Sequence, residues 1–280
     1  MTNVLLATTL AIGSAAVHAT WNFRVKSAED GELASAAQFG SAGLLGVLVL
    51  LWLGPPPAAA LPWLAASAAV HLVYVRSLVA AYGSGDFSLG YPLARGGGRP
   101  PAAGGGALGL AGPLRPMGWA GAVVVAIGLV SLVDARASST TLGWAGATAA
   151  AIGSYTVIDS RGVRTSGAGD GYVFALMALC SVGIVGAGGG RGRGPDLLAE
   201  LRRRPGRRLS AGAMVTVAYG MALVAVRHAP VGYVALLRES SVVFGAAIGW
   251  FVLHERLAPR RLVSTVVILV GFVGLVLAQR

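Results

Sequence analysis

The chain has 280 residues, of which 55% are hydrophobic and only 12% charged, with a mean hydropathy of +0.71 and a formal net charge of +11. That leaves too little polar surface to cover a soluble globule of this size, which excludes the ordinary soluble classes and points to a membrane protein. The single cysteine, Cys180, excludes an internal disulfide or a cysteine metal centre, and the 42 glycines suit helices whose backbones approach closely in lipid.

Apolar windows about 20 residues long, the length that crosses roughly 30 Å of hydrocarbon, fall at 3–23, 33–54, 61–83, 86–111, 116–134, 141–160, 170–188, 209–227, 230–253 and 260–278. They predict ten transmembrane helices with short connections. The first window lacks a basic leader and runs on to Trp21, so it reads as a span and not as a cleaved signal peptide.

The fourth window contains "GGGRPPAAGGGALGLAG" (96–112). An interior proline costs about 3 kcal/mol and a glycine about 1 kcal/mol in helix propensity, so this helix is expected to be kinked or poorly formed. Two explanations stand side by side: a broken helix that lines a transport site, or a pair of compensating frameshifts in a GC-rich gene. The GxGxxG match at Gly104, Gly106 and Gly109 follows no predicted strand, and the only lysine, Lys26, has no glycine-rich lead. No nucleotide or other cofactor is expected.

Between the seventh and eighth spans, "RGRGPDLLAELRRRPGRR" (191–208) carries seven arginines and no aromatic residue on which a base could stack. It reads as a loop beside anionic lipid, with no nucleic-acid partner. Basic residues concentrate after odd-numbered spans, which by the positive-inside rule puts both termini outside.

The chain repeats itself. "AIGS" occurs at 11–14 and 151–154, and the same shift of 140 brings Arg24 onto Arg164; later, a shift of 143 lays "VVVAIGLVSLV" (123–133) on "VVILVGFVGLV" (266–276) with six of eleven positions identical. Two copies of a five-helix unit, 1–136 and 137–280, follow. Because five is odd, the second copy enters from the opposite side of the membrane. The expected fold is therefore an all-α integral membrane protein of ten helices in two inverted repeats, a common basis of alternating access in secondary transporters.

"HATWN" (18–22), "YPLARG" (91–96) and "LLRESSVVFGAAIGWFVLHERLAPRRLVSTVVILVGFVGLVL" (236–277) resemble the EamA-type transporters of the drug/metabolite transporter superfamily, and the resemblance extends over nearly the whole chain. It implies a ten-helix bundle round a central cavity in the cytoplasmic membrane, with both termini in the cytoplasm, that moves small metabolites, often outward, without ATP. Gly112 stands where related proteins carry a glutamate.

An ionisable side chain at mid-membrane depth costs several kcal/mol unless paired or facing water, so each is a candidate for the site. His18, His71, Arg76, Arg95, Asp159, Arg238 and Glu239 qualify by position. Arg238 and Glu239 lie about nine residues into the ninth span, about 100° apart on a helix, so each needs a partner other than its neighbour. The 143 shift makes Arg95 the counterpart of Arg238. Two arginines in one cavity point to a carboxylate-bearing or zwitterionic solute, with Glu239 as the proton-coupling group. His18, Trp21 and Asn22 share one helical face and Tyr74, Tyr91, Tyr155 and Tyr219 supply aromatic walls; with Arg76, Arg95, Arg238 and Glu239 they make up the expected substrate-binding set. Asp159 is expected to form a surface pair with Arg161. The four histidines lack metal-ligand spacing, so neither a metal nor a catalytic residue is expected. A membrane-embedded enzyme and a non-transporting channel or structural protein remain the alternatives to a carrier.

Overall fold

A computed structural model describes residues 2–83, 116–131, 138–165, 167, 169, 171–189, 192–203, 205–252 and 259–278. Their regular structure is entirely helical: α1 (Thr2–Lys26), α2 (Gly31–Leu53), a 3-10 turn (Ala58–Ala60) leading into α3 (Leu61–Gly83), α4 (Pro116–Ser131), α5 (Ser139–Thr165), α6 (Gly171–Gly189), α7 (Gly194–Arg203), α8 (Pro205–His228), α9 (Val231–Leu237), a second 3-10 turn (Arg238–Ser240), α10 (Ser241–Phe251) and α11 (Pro259–Leu277). Among the described residues, six helical stretches are long and apolar enough to cross a membrane: Asn3–Val25, Gly31–Leu53, Ala58–Ala81, Gly171–Gly188, Pro205–His228 and Val231–Phe251. Large apolar side chains such as Leu51, Trp52, Val182 and Phe251 are 70% exposed or more, a surface that suits contact with lipid.

Local chemistry sets the helix ends. Proline opens α4, α8 and α11, where its missing N–H is not needed. Asp30 caps α2 by accepting from the amides of Glu32 (3.0 Å) and Leu33 (2.9 Å). Burial pushes the Asp30 carboxyl up, but the Leu33 amide and the Arg193 guanidinium outweigh it and hold the group below the usual carboxylate range. Gly54 ends α2 at φ +83°, a left-handed conformation that glycine adopts without a Cβ penalty, and Pro55, Pro56 and Pro57 then prevent continuation. Arg164 of α5 closes the far end of α8 by donating to the carbonyls of Val226 (3.0 and 2.5 Å) and Ala229 (2.9 Å).

The helices pair as α1 with α8, α3 with α5, α2 with α6 and α4 with α11. Small residues make these approaches possible. A Cβ on Gly46 of α2 would collide with the Phe174 carbonyl oxygen of α6. The α4–α11 contact is antiparallel and reciprocal. A Cβ on Gly128 would meet Ile268 Cγ1 at 2.6 Å and the Ser264 carbonyl at 3.2 Å; one on Gly271 would meet Val125 Cγ2 at 2.7 Å and the Gly121 carbonyl at 2.9 Å.

Two features depart from the expected pattern. The ninth span is not one continuous helix: the polar run Arg238–Ser240 tightens into a 3-10 turn between α9 and α10. The basic stretch 191–208 is not simply a loop, for it contains α7, whose Leu197 packs on Ala36 and Ala37 of α2. Arg193 ties its start to α2 through Asp30 and Glu32. The fourth span, with its expected break at 96–112, lies outside the described residues.

Candidate functional site

Helices α1, α3, α5 and α8 and the turn after α9 bring their polar and aromatic side chains together inside the bundle. His71 of α3 stacks on Tyr155 of α5, with ring centroids 4.1 Å apart and planes 24° apart, and meets Tyr219 of α8 edge-on at 5.5 Å. Tyr155 stands edge-on to both Tyr74 (5.5 Å) and Tyr219 (5.7 Å). Each such pair contributes about 0.5–1.5 kcal/mol beyond its buried area, so the rings hold one another in place. His18 and Trp21, one turn apart on α1, form a further wall with centroids 4.8 Å apart. The Arg238 guanidinium carbon lies 5.7 Å from the Tyr219 ring centroid, a cation–π arrangement, and Arg238 is only 3% exposed. Together with Phe39, Met177, Val215 and Ala218 these residues enclose a cavity of about 20 Å³.

A carboxylate sits behind that wall. Asp159 of α5 is fully buried, accepting from Tyr172 at 2.9 Å and from Tyr219, with Ser67 of α3 also against it. This corrects the expectation of a surface pair with Arg161. The predicted span ended at 160, but α5 runs on to Thr165, which places Asp159 well inside the helix and one turn beyond Tyr155 on the same face. That Tyr155–Asp159 spacing was the sequence signal for it. His71 Nδ1 lies 2.9 Å from the Ser67 carbonyl oxygen. A carbonyl only accepts, so Nδ1 carries a hydrogen.

The remaining expected residues separate. His18, Trp21, Tyr74, Tyr155, Tyr219 and Arg238 meet at the cavity, joined by His71. Glu239 is fully buried in the same turn as Arg238. Asn22 is fully buried one turn from His18, to whose carbonyl its amide donates at 2.9 Å. Arg76 is exposed and lines a different groove, of about 430 Å³, with Glu32, Trp144 and Gly188. Tyr91 and Arg95 lie outside the described residues. Among the described residues, no three His, Cys, Asp or Glu side chains converge as a metal site would require.

Residues 139–277 match the model of the EamA-like transporter family. That stretch of the chain is similar to the family. A solved crystal structure shares the fold at a TM-score of 0.74 and 17% sequence identity, covering 100% of this chain and 99% of the other, so the likeness includes the half that the EamA-like match leaves out. No curated protein matches the chain. EamA-like proteins are membrane transporters of small solutes, and the apolar spans of this chain agree with that class. The EamA-like half supplies Tyr155, Asp159, Tyr219, Arg238 and Glu239. The first half supplies His18, Trp21, His71 and Tyr74, so both halves meet at the cavity.

Proposed function

We propose that this chain is a secondary transporter of the cytoplasmic membrane that exports small carboxylate-bearing or zwitterionic metabolites by alternating access, with Glu239 as its proton-coupling group. The observation that carries this reading is Arg238, buried at a break in the ninth span and held over Tyr219 beside the central cavity. A guanidinium offers a carboxylate two parallel hydrogen bonds, and the surrounding rings suit the apolar part or the ammonium group of the same solute. His18, Trp21, Asn22, Tyr74, Tyr155 and Tyr219 complete the binding set. Arg95, the counterpart of Arg238 in the 143 register, and Tyr91 belong to the same proposal. Glu239, next to Arg238, gains or loses a proton as the cavity changes sides.

The two halves, 1–136 and 137–280, act as inverted repeats. The support is the reciprocity of the α4–α11 contact. In the 143 register Gly128, Val125 and Gly121 correspond to Gly271, Ile268 and Ser264; Gly128 lies against Ile268 and Ser264, and Gly271 against Val125 and Gly121. Such exchange of partners is the mark of a twofold axis. Because the helices run antiparallel, that axis lies in the membrane plane, as alternating access between inverted repeats needs. A cavity of about 20 Å³ holds no metabolite, so loading requires the halves to part on one side at a time.

Comparing metabolites inside and outside cells that overexpress the chain tests the reading. One solute class is expected to move outward with the unmodified chain, and in vesicles preloaded with that class Arg238→Ala is expected to weaken transport by at least about tenfold, the loss of a charge-assisted hydrogen bond. Glu239→Gln is expected to uncouple transport from the pH gradient. Undiminished pH-driven export by Glu239→Gln would remove the coupling role, and no solute shift with protein in the membrane would overturn the carrier itself.

A further inference from the structure

A second polar site lies at the membrane face where α1 ends and α2 and α8 begin. Arg24 of α1, Gln38 of α2 and Arg207 and Arg208 of α8 converge on a notch of about 10 Å³ that shares no residue with the central cavity. That is about the room of one water-sized group, too little for a metabolite. Gln38 is 2% exposed and its Nε2 is enclosed without a hydrogen-bond acceptor. A buried donor left in that state is costly, so an acceptor belongs there. Arg208 pairs with Glu200, and Arg24 donates to Ser210 Oγ at 3.1 Å; among the described residues, neither Arg24 nor Arg207 meets a carboxylate. The notch is therefore rimmed by positive charge with a buried amide donor at its floor, the complement of an anion with several oxygens. Leu209, next to Arg208 in the chain, is 54% exposed, so apolar surface adjoins the charges.

We propose that this notch binds the phosphate of an anionic phospholipid, with one phosphoryl oxygen reaching Gln38 Nε2, the rest held by Arg24 and Arg207, and the acyl chains lying along Leu209. A phosphate beside an apolar wall at the membrane surface is what a lipid headgroup presents, and basic pockets between spans are suited to that chemistry. Free inorganic phosphate would match the donors but leave Leu209 unused. Helix α7, clamped to α2 through Leu197, holds Glu200 against Arg208 and so fixes one edge of the site.

Native mass spectrometry of the purified full-length chain with short-chain phosphatidylglycerol, phosphatidylcholine or inorganic phosphate tests this. One phosphatidylglycerol is expected to stay bound, in preference to the other two probes. In the Arg24→Gln/Arg207→Gln variant, whose changes fall on side chains that reach solvent, affinity is expected to drop about fivefold for each arginine removed. Gln38→Leu is expected to weaken binding although net charge is unchanged. The charge-matched Arg202→Gln/Arg203→Gln variant on α7 is expected to bind as the unmodified chain does. An equal loss in that control would mean diffuse attraction and no site. Undiminished binding by Arg24→Gln/Arg207→Gln, equal retention of phosphatidylcholine, or full displacement by millimolar inorganic phosphate would each overturn the lipid assignment.

Discussion

Two phenols share the buried carboxylate of Asp159, so removing the acceptor and removing one donor have different consequences. Asp159→Ala leaves the Tyr172 and Tyr219 hydroxyls without their buried partner, at about 1–3 kcal/mol for each donor. Tyr172→Phe removes one bond and leaves Asp159 its other donor, at about 1 kcal/mol. Thermal unfolding in detergent is expected to show a clearly larger fall in midpoint for Asp159→Ala; equal falls would mean that Tyr219 does not depend on the carboxylate. Asp30 gives a pH signature of the opposite kind, at the surface. Its folded carboxyl titrates below the ordinary value of 3.8, so the stabilisation is full above that value and is lost as pH falls through the lower, folded one. Asp30→Asn keeps a good helix cap but removes the charge. The gap in midpoint between it and the unmodified chain is expected at pH 5 and to close as pH falls below 4. The cost of an ionisable group in lipid singled out Arg238, whereas the tyrosines entered separately, as aromatic walls. Asp159 qualified by position, but the surface pair expected for it failed because its depth depends on where α5 ends, which apolar windows do not resolve.

Helix packing depends on a few glycines that are not interchangeable with the rest. Gly271→Leu puts a side chain where a single Cβ would already stand 2.8 Å from the Val125 nitrogen, and backbone cannot yield as a flexible side chain can. The overpacking cost is about 1–3 kcal/mol or more, expected as reduced yield of folded protein on size exclusion. Gly146 of α5 is also helical but faces open space, and Gly146→Ala is expected to be neutral or to stabilise by up to about 1 kcal/mol. If both changes were equally harmful, the close α4–α11 approach would not be what glycine serves. Neither the 3-10 turn at Arg238–Ser240 nor α7 was legible in the sequence. A three-residue tightening leaves the apolar average of the span intact, and a ten-residue helix on the membrane surface is shorter than any window that finds a span. Its Leu197–Leu201 spacing was the trace it left.

At the scale of the whole molecule the expected spans recur as helices wherever the residues are described, because about 20 consecutive apolar residues have few structural solutions in lipid. The pairing of helices was not written in those windows. It rests on which faces are small enough to touch. Cys180 lies in α6, 1% exposed, which leaves the unmodified chain without a surface thiol among its described residues. The natural sequence is thus already a blank background for thiol chemistry: Ser27→Cys, after α1, and Ala59→Cys, after α2, would sit on opposite faces of the bilayer. An impermeant maleimide applied to whole cells should label only one of them, and which one it labels decides the side on which the chain begins.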